Sequence, residues 1–214
     1  MLKIYGGDLS SPANKVRFVA NSLGLPYEYI QVKIREGENR TPEFLKLHPA
    51  GKIPVIDDHG FVLFESNAII KYLARKAKSP LYPSELEKRA VVDQWINFSS
   101  IHIGEAVGKV LYNRIFAPML KVPVDERSIQ DGLKFLDRFL PVVNYQLAQN
   151  AYLAGKDLSL ADMTLLAALD PCEVAQIDIS FYSNIVKWRR DLKQKDFYTK
   201  CYKAYGESLR QRAA

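Results

Sequence analysis

Cysteine is scarce in this chain. Cys172 and Cys201 are the only two among 214 residues, they form no CxxC, and neither is paired at metal-ligand spacing with His48, His59 or His102. A disulfide framework and a structural zinc are therefore not expected, and no metal is called for. Long apolar runs are missing too: none approaches the roughly 18 residues that a membrane span needs. Met1 leads into "LKIYGG" rather than into a basic stretch followed by an apolar one, so no secretory signal is expected and the default is a cytoplasmic protein without a membrane anchor.

Charge of one sign is lacking over most of the length. The formal charge is +6, but residues 1–186 balance at 21 basic against 21 acidic side chains, and the excess comes from nine Lys or Arg against three acids after position 186. Those basic residues are interrupted by "DL", "DFYT" and "GES". The expectation is a solvated helix face near a C-terminus rather than a nucleic-acid surface.

What remains is a chain of 48% hydrophobic and 25% charged residues, long enough for a sizeable core and more than one domain. Up to about residue 77, strand-like runs alternate with helical patterns in the order βαβ, α, ββα: "LKIY", "PANKVRFVANSLG", "YEYIQV", "TPEFLKLHP", "KIPVIDD", "FVLF" and "ESNAIIKYLARKA". Pro12 suits the first turn of a helix, Gly24 suits its end, and "DDHG" suits a hairpin. After "KSPLYPSE" the spacing turns helical, over 85–116, 125–149, 159–173 and 181–211. The expected architecture is an α/β domain over 1–77, a linker over 78–86, and an all-helical domain over 87–214. Within the latter, Ser159 and Asp162 have the spacing of a capping box, with Leu158 and Met163 as its hydrophobic staple, a start worth about 1 kcal/mol or more.

Two local features carry chemistry. Proline at the head of a strand offers no N–H to a sheet, and a cis Ile53–Pro54 bond leaves the N–H and C=O of Ile53 facing outward, ready to pair with an extended peptide. After ten residues that follow Pro54, Glu65 and Ser66 open a helix whose free N–H groups and hydroxyl make an anion site. A ligand with a peptide-like middle and a terminal carboxylate fits both.

The arrangement of "S..NKV", "HPAGKIPVI", "FESNAIIKYLA" and "GKDLSLADMTLLAAL" closely resembles that of cytosolic glutathione transferases, over essentially the whole chain. The resemblance implies a thioredoxin-like glutathione-binding domain followed by a helical domain, usually in a homodimer, and is nearest to serine-type members such as the theta and phi classes. In those the catalytic serine lies six positions before the Val or Ile of the first helix, which here is Ser10. Ser11 is the leading alternative, and Tyr5 stands near where a tyrosine-using branch places its hydroxyl. With no cysteine in the loop, mixed-disulfide chemistry is disfavoured.

The implied mechanism rests on the thiolate of glutathione, because a free thiol is only about 3% ionised at neutral pH. A serine hydrogen bond worth about 1.5–3 kcal/mol supplies much of what is needed to ionise it. By the same resemblance Asn39, Arg40 and Lys52 approach the glycine carboxylate, Ile53 and Pro54 present the main chain to the cysteinyl unit, and Glu65 and Ser66 hold the γ-glutamyl end. Asn39 and Arg40 stand where His and Lys are more usual. The electrophile pocket falls on Leu9, Phe98, Ser99, His102 and Tyr112, with Phe116 at its margin. The expected activity is transfer of glutathione to a hydrophobic electrophile. A glutathione-dependent isomerase, dehalogenase or peroxidase is the alternative on the same thiolate, and a noncatalytic binding module is the alternative outside enzymology.

Overall fold

The computed structural model describes residues 1–207. Its contacts gather into two compact units, Met1–Tyr82 with the segment from Lys195, and Pro83–Gln194.

The first unit begins with β1 (Leu2–Gly6), α1 (Ser11–Ser22) and β2 (Tyr27–Gln31), a parallel βαβ motif in which Leu2 pairs with Tyr27 and Gly6 with Gln31. A short helix α2 (Pro42–Leu47) leads to the antiparallel hairpin β3 (Val55–Asp58) and β4 (Phe61–Phe64), and α3 (Ser66–Lys76) follows. Among the described residues the sheet has the order β2-β1-β3-β4, with Tyr5 opposite Val55. The hairpin turns at His59 and Gly60, both at positive φ (57° and 92°), and the Gly60 N–H reaches the Asp57 carboxylate at 2.7 Å. This is the turn that "DDHG" called for.

Strand alternation assigns the two faces of β1. Gly6 faces α1, where an added Cβ would come 2.8 Å from that of Ala13. Leu2 and Ile4 share its face and are buried. Tyr5 points the other way, into a small core of Val32, Phe44 and Val55, with its ring edge-on to Phe44.

The second unit is helical. It runs through α4 (Leu86–Phe98), a π-helical stretch (Ser99–Gly104), α5 (Glu105–Leu111), a second π-helical stretch (Tyr112–Phe116) and α6 (Ala117–Met119). The helix read over 85–116 thus continues as far as Met119. Next come α7 (Glu126–Gln149), α8 (Leu160–Leu169) and α9 (Ser183–Lys193). The capping box at Ser159 and Asp162 is formed, and Asp162 is fully enclosed.

Helices α5 and α7 meet closely at Gly132, whose added Cβ would stand 2.7 Å from the Ala106 carbonyl oxygen and 2.9 Å from Val110 Cγ2. Backbone cannot yield as a side-chain tip does. Gly132→Ala is therefore expected to lower stability by about 1–3 kcal/mol, despite alanine's better helix propensity. A lowered thermal midpoint with an unchanged far-ultraviolet spectrum is the expected result.

The continuous helix expected over 181–211 is not formed. After α9 the chain breaks at Lys195, which is extended (ψ 147°), and makes only a four-residue helix, α10 (Asp196–Thr199). The reason is packing: Phe197, Tyr198 and Tyr202 close around Phe18 of α1, with ring centroids 5.3–6.1 Å away. This cluster also explains why the segment from Lys195 goes with the first unit, whereas the sequence pattern assigned 87–214 to one helical domain. The last residues of that expected helix, and Arg210 and Arg212 of the basic tail, lie outside the described residues.

Candidate functional site

Ser10 is the N-cap of α1. Its backbone is extended (φ −95°, ψ 100°), its N–H donates to the Gly7 carbonyl at 2.8 Å, and its Oγ accepts the Ala13 N–H at 3.3 Å. A hydroxyl offers one proton and two lone pairs. Capping occupies a lone pair and leaves the proton available to an acceptor beyond the helix end, where the macrodipole also favours an anion. One residue can cap and donate. Ser11 is the first residue inside α1, and Tyr5 is turned into the core beside Phe44.

The preceding loop is tied down from a distance. Tyr205 Oη donates to the Leu9 carbonyl at 2.6 Å, and Asn14 Nδ2 donates to the Asp8 carbonyl at 2.8 Å. Arg17 lies over the Tyr29 ring at 4.3 Å and donates to the Cys201 carbonyl at 3.0 Å.

The Ile53–Pro54 bond is cis. Val55 opens β3, so Ile53 precedes the ladder, and among the described residues its N–H and carbonyl have no main-chain partner. Asn39 is buried, with Nδ2 donating to the Gly51 carbonyl at 2.7 Å, so its amide fixes the turn before Lys52. Arg40 and Lys52 are exposed, and Arg40 donates to the Ala50 carbonyl at 3.3 Å. His48 is buried and accepts the Ala50 N–H at 3.2 Å, as a turn residue does.

Glu65 has φ 69° and ψ 107°, a region that non-glycine residues avoid at a cost of about 1–3 kcal/mol. It stands at the N-cap of α3, and no side chain caps that helix. The start of α3 at Ser66 thus carries partial positive charge that favours an anion. Below that turn Lys15 is buried, with Nζ 2.5 Å from Asn67 Oδ1. Burial brings its ammonium down to about 7, against the opposing pull of Glu65.

In the helical unit, Phe98 and His102 come together in an aromatic row. His102 stacks on Phe139 at 4.5 Å and meets Phe98 edge-on at 5.0 Å. Ser99 is fully enclosed, and its Oγ has no partner among the described residues. Tyr112 is 46% exposed, and Phe116 is half-buried one turn on. Ser99, His102, Tyr112 and Phe116 all fall within the two π-helical stretches, a local widening that is frequent at functional positions. Among the described residues no cluster of His, Cys, Asp or Glu is arranged to hold a metal, and no helix is long and apolar enough to cross a membrane.

Residues 1–75 match the description "Glutathione S-transferase, N-terminal domain", and residues 108–195 match "Glutathione S-transferase, C-terminal domain". A delta-class glutathione transferase of Nilaparvata lugens is 30% identical, with 99% of this chain and 97% of that one aligned at a TM-score of 0.85. The chain belongs to the cytosolic glutathione transferase superfamily. Glutathione transferase F1 of poplar is 27% identical over 100% of this chain and 99% of its own, with a TM-score of 0.85. Glutathione S-transferase-I, bound with lactoylglutathione, is 29% identical over 94% and 97%, with a TM-score of 0.86. Within the superfamily the chain is phi-like. The sheet with its helices is the thioredoxin-like half of a glutathione transferase, the second unit is the helical half, and glutathione is the co-substrate.

Sequence reasoning passed over three features of this glutathione transferase: buried Lys15, the Tyr205 contact to Leu9, and the π-helical turns. Only Lys15 left a trace. It follows Asn14 in a helix whose residues from Ala13 to Ala20 are all buried, so the run "ANKVRFVA" has no polar face to spare.

Proposed function

We propose that the protein adds glutathione to a hydrophobic electrophile, with Ser10 donating the hydrogen bond that keeps the bound sulfur ionised. The observation that carries this reading is the geometry of Ser10: its Oγ accepts the Ala13 N–H, which leaves its proton available to another acceptor. Ser11 belongs to the helix itself and Tyr5 to the core on the opposite face of β1, so neither competes on equal terms.

The ligand is read along the same edge of the first unit. The main chain of Ile53 pairs with the cysteinyl unit, Glu65 takes the γ-glutamyl ammonium, and Ser66 at the start of α3 takes its carboxylate. Arg40 and Lys52 meet the glycine carboxylate as exposed cations, while Asn39 serves by holding Gly51. On the electrophile side, Phe98, His102 and Tyr112 of the helical unit supply aromatic surface. Ser99, fully enclosed, supports the helix rather than the substrate. A relative that holds lactoylglutathione, a glutathione already substituted at sulfur, is consistent with this order of binding.

We further propose that the protein acts as a homodimer in the cytoplasm. The edge strand β4 exposes Phe61 on one face and Val62 and Phe64 on the other, apolar side chains at an edge suited to a second copy.

The test is an ultraviolet titration of bound glutathione against pH, which follows the thiolate. Wild type, Ser11→Ala and Tyr5→Phe are expected to ionise the bound thiol about two pH units below the free one. An unshifted thiol in wild type would overturn the transferase mechanism. A shift lost in Ser11→Ala or Tyr5→Phe would move the role from Ser10 to that residue.

A further inference from the structure

Lys15 lies on α1 beneath the start of α3. It is 5% exposed and its ammonium donates to Asn67, two residues beyond Glu65 and one beyond Ser66. A lysine is seldom enclosed without a charged partner. Glu65 acts on it electrostatically in its favour and Lys71, one turn further along α3, acts against it. Among the described residues, the other elements packed on α1 turn apolar groups toward it. Strand β1 turns Leu2, Ile4 and Gly6 toward α1, and α10 brings Phe197 and Tyr198 onto Phe18. Arg17 is directed to Tyr29 and Cys201, and Asp8 pairs with Arg17.

The γ-glutamyl subsite as proposed above has an electrostatic gap that this lysine fills. Glu65 is negative, and the ligand places a second negative group, its α-carboxylate, on the adjacent helix start. The backbone N–H groups there carry only partial charge. We infer that Lys15 is a positioning residue for the γ-glutamyl end of glutathione: its ammonium holds Asn67 and the first turn of α3 in place and supplies the positive charge that balances Glu65 together with the arriving carboxylate. This rests on the assignment of Glu65 and Ser66 to that end of the ligand.

Protonation and binding are then linked. Without ligand, burial is the largest influence on Lys15 and holds its ammonium near 7. A carboxylate bound close by favours the charged form and raises that value. Binding therefore takes up a proton above neutral pH, and affinity falls as pH rises from the free value toward the bound one. Arginine at this position stays charged throughout and removes that dependence.

The probe is S-methylglutathione, which has no titrating thiol, with its dissociation constant measured calorimetrically from about pH 6 to about pH 9. Lys15→Met is expected to weaken binding at least about tenfold at the acid end, and by less at the alkaline end, where wild type has lost the charge as well. Lys15→Arg is expected to match wild type within about threefold at the acid end and to bind more tightly than wild type at the alkaline end. The ligand's own amine titrates identically in all three proteins, so it cancels from the comparison.

A purely structural lysine predicts something else: a lowered urea midpoint in Lys15→Met with unchanged affinity and parallel pH curves, which would overturn the inference. If Lys15→Met does not fold, the curves of wild type and Lys15→Arg decide, since parallel curves refute the proposal. If wild type does not bind S-methylglutathione at all, the glutathione-site reading falls with it. Normal wild-type binding beside indifferent variants removes only the role of Lys15.

Discussion

Ser10→Ala is expected to lower kcat/KM about 100-fold at neutral pH while leaving glutathione affinity within a few-fold of wild type. The figure follows from one hydrogen bond to an ionised sulfur, about 1.5–3 kcal/mol, at about 1.4 kcal/mol per tenfold in rate. The loss should depend on pH in a definite sense. A donor that favours the thiolate lowers the thiol's pKa, so the variant's activity rises with pH into the range where the free thiol ionises unaided, and the gap to wild type closes there. Helix stability provides the control. Removing the cap of α1 costs about 1 kcal/mol, so the variant should remain folded under assay conditions. A Ser10→Thr variant, which keeps both cap and proton, should recover much of the activity. A flat ratio of wild-type to Ser10→Ala rates across pH would separate the serine from thiol ionisation.

The second large effect is expected at Asp162→Ala, which should destabilise the helical unit by about 3–5 kcal/mol. The carboxylate is fully enclosed and receives four donors. Oδ1 accepts the Leu153 N–H at 2.8 Å and the Trp188 Nε1–H at 3.1 Å, while Oδ2 accepts the Ser159 N–H at 3.0 Å and its hydroxyl at 2.9 Å. Burial pushes the carboxyl's pKa up, and these hydrogen bonds oppose that shift. Alanine strands all four donors in the interior, each costing about 1–3 kcal/mol if nothing replaces its partner. Asp162→Asn is the discriminating variant. Its amide oxygen can stay with Leu153 and Trp188, but its NH2 then faces the Ser159 N–H, donor against donor. A loss smaller than that of Asp162→Ala, by about half, is expected. Urea unfolding followed by tryptophan fluorescence reads both, because Trp188 is itself one of the partners. Equal midpoints for wild type and Asp162→Ala would show that water or a rearranged loop satisfies the donors.

The capping box was legible in the sequence because it is local: Ser159, Asp162, Leu158 and Met163 lie within six positions. The same holds for the hairpin at His59 and Gly60, for Pro12 in the first turn of α1 and for the order of strands and helices in the first unit. What could not be read depends on residues far apart. The break at Lys195 exists because Phe197, Tyr198 and Tyr202 answer to Phe18, and no periodicity in the tail announces an aromatic side chain almost 180 positions upstream. Lys15 drew no reading from the helix pattern "PANKVRFVANSLG". Its burial comes from α3, which covers α1 only once the sheet has formed. Ser99, expected beside a substrate, sits on the enclosed side of a π-helical stretch, a backbone state for which side-chain spacing carries no mark.

The grip of Tyr205 on the Leu9 carbonyl bears on the order in which the molecule is completed. On the ribosome, the sheet and α1 emerge first and have the local information to form. The loop before Ser10 acquires its distal anchor only once Tyr205, 196 positions beyond Leu9, has been synthesised. A nascent or C-terminally clipped polypeptide would then carry a folded glutathione platform with its serine loop unfastened. Cleavage anywhere before Tyr205 would release the Leu9 carbonyl, so an event late in the sequence acts on a loop near its beginning.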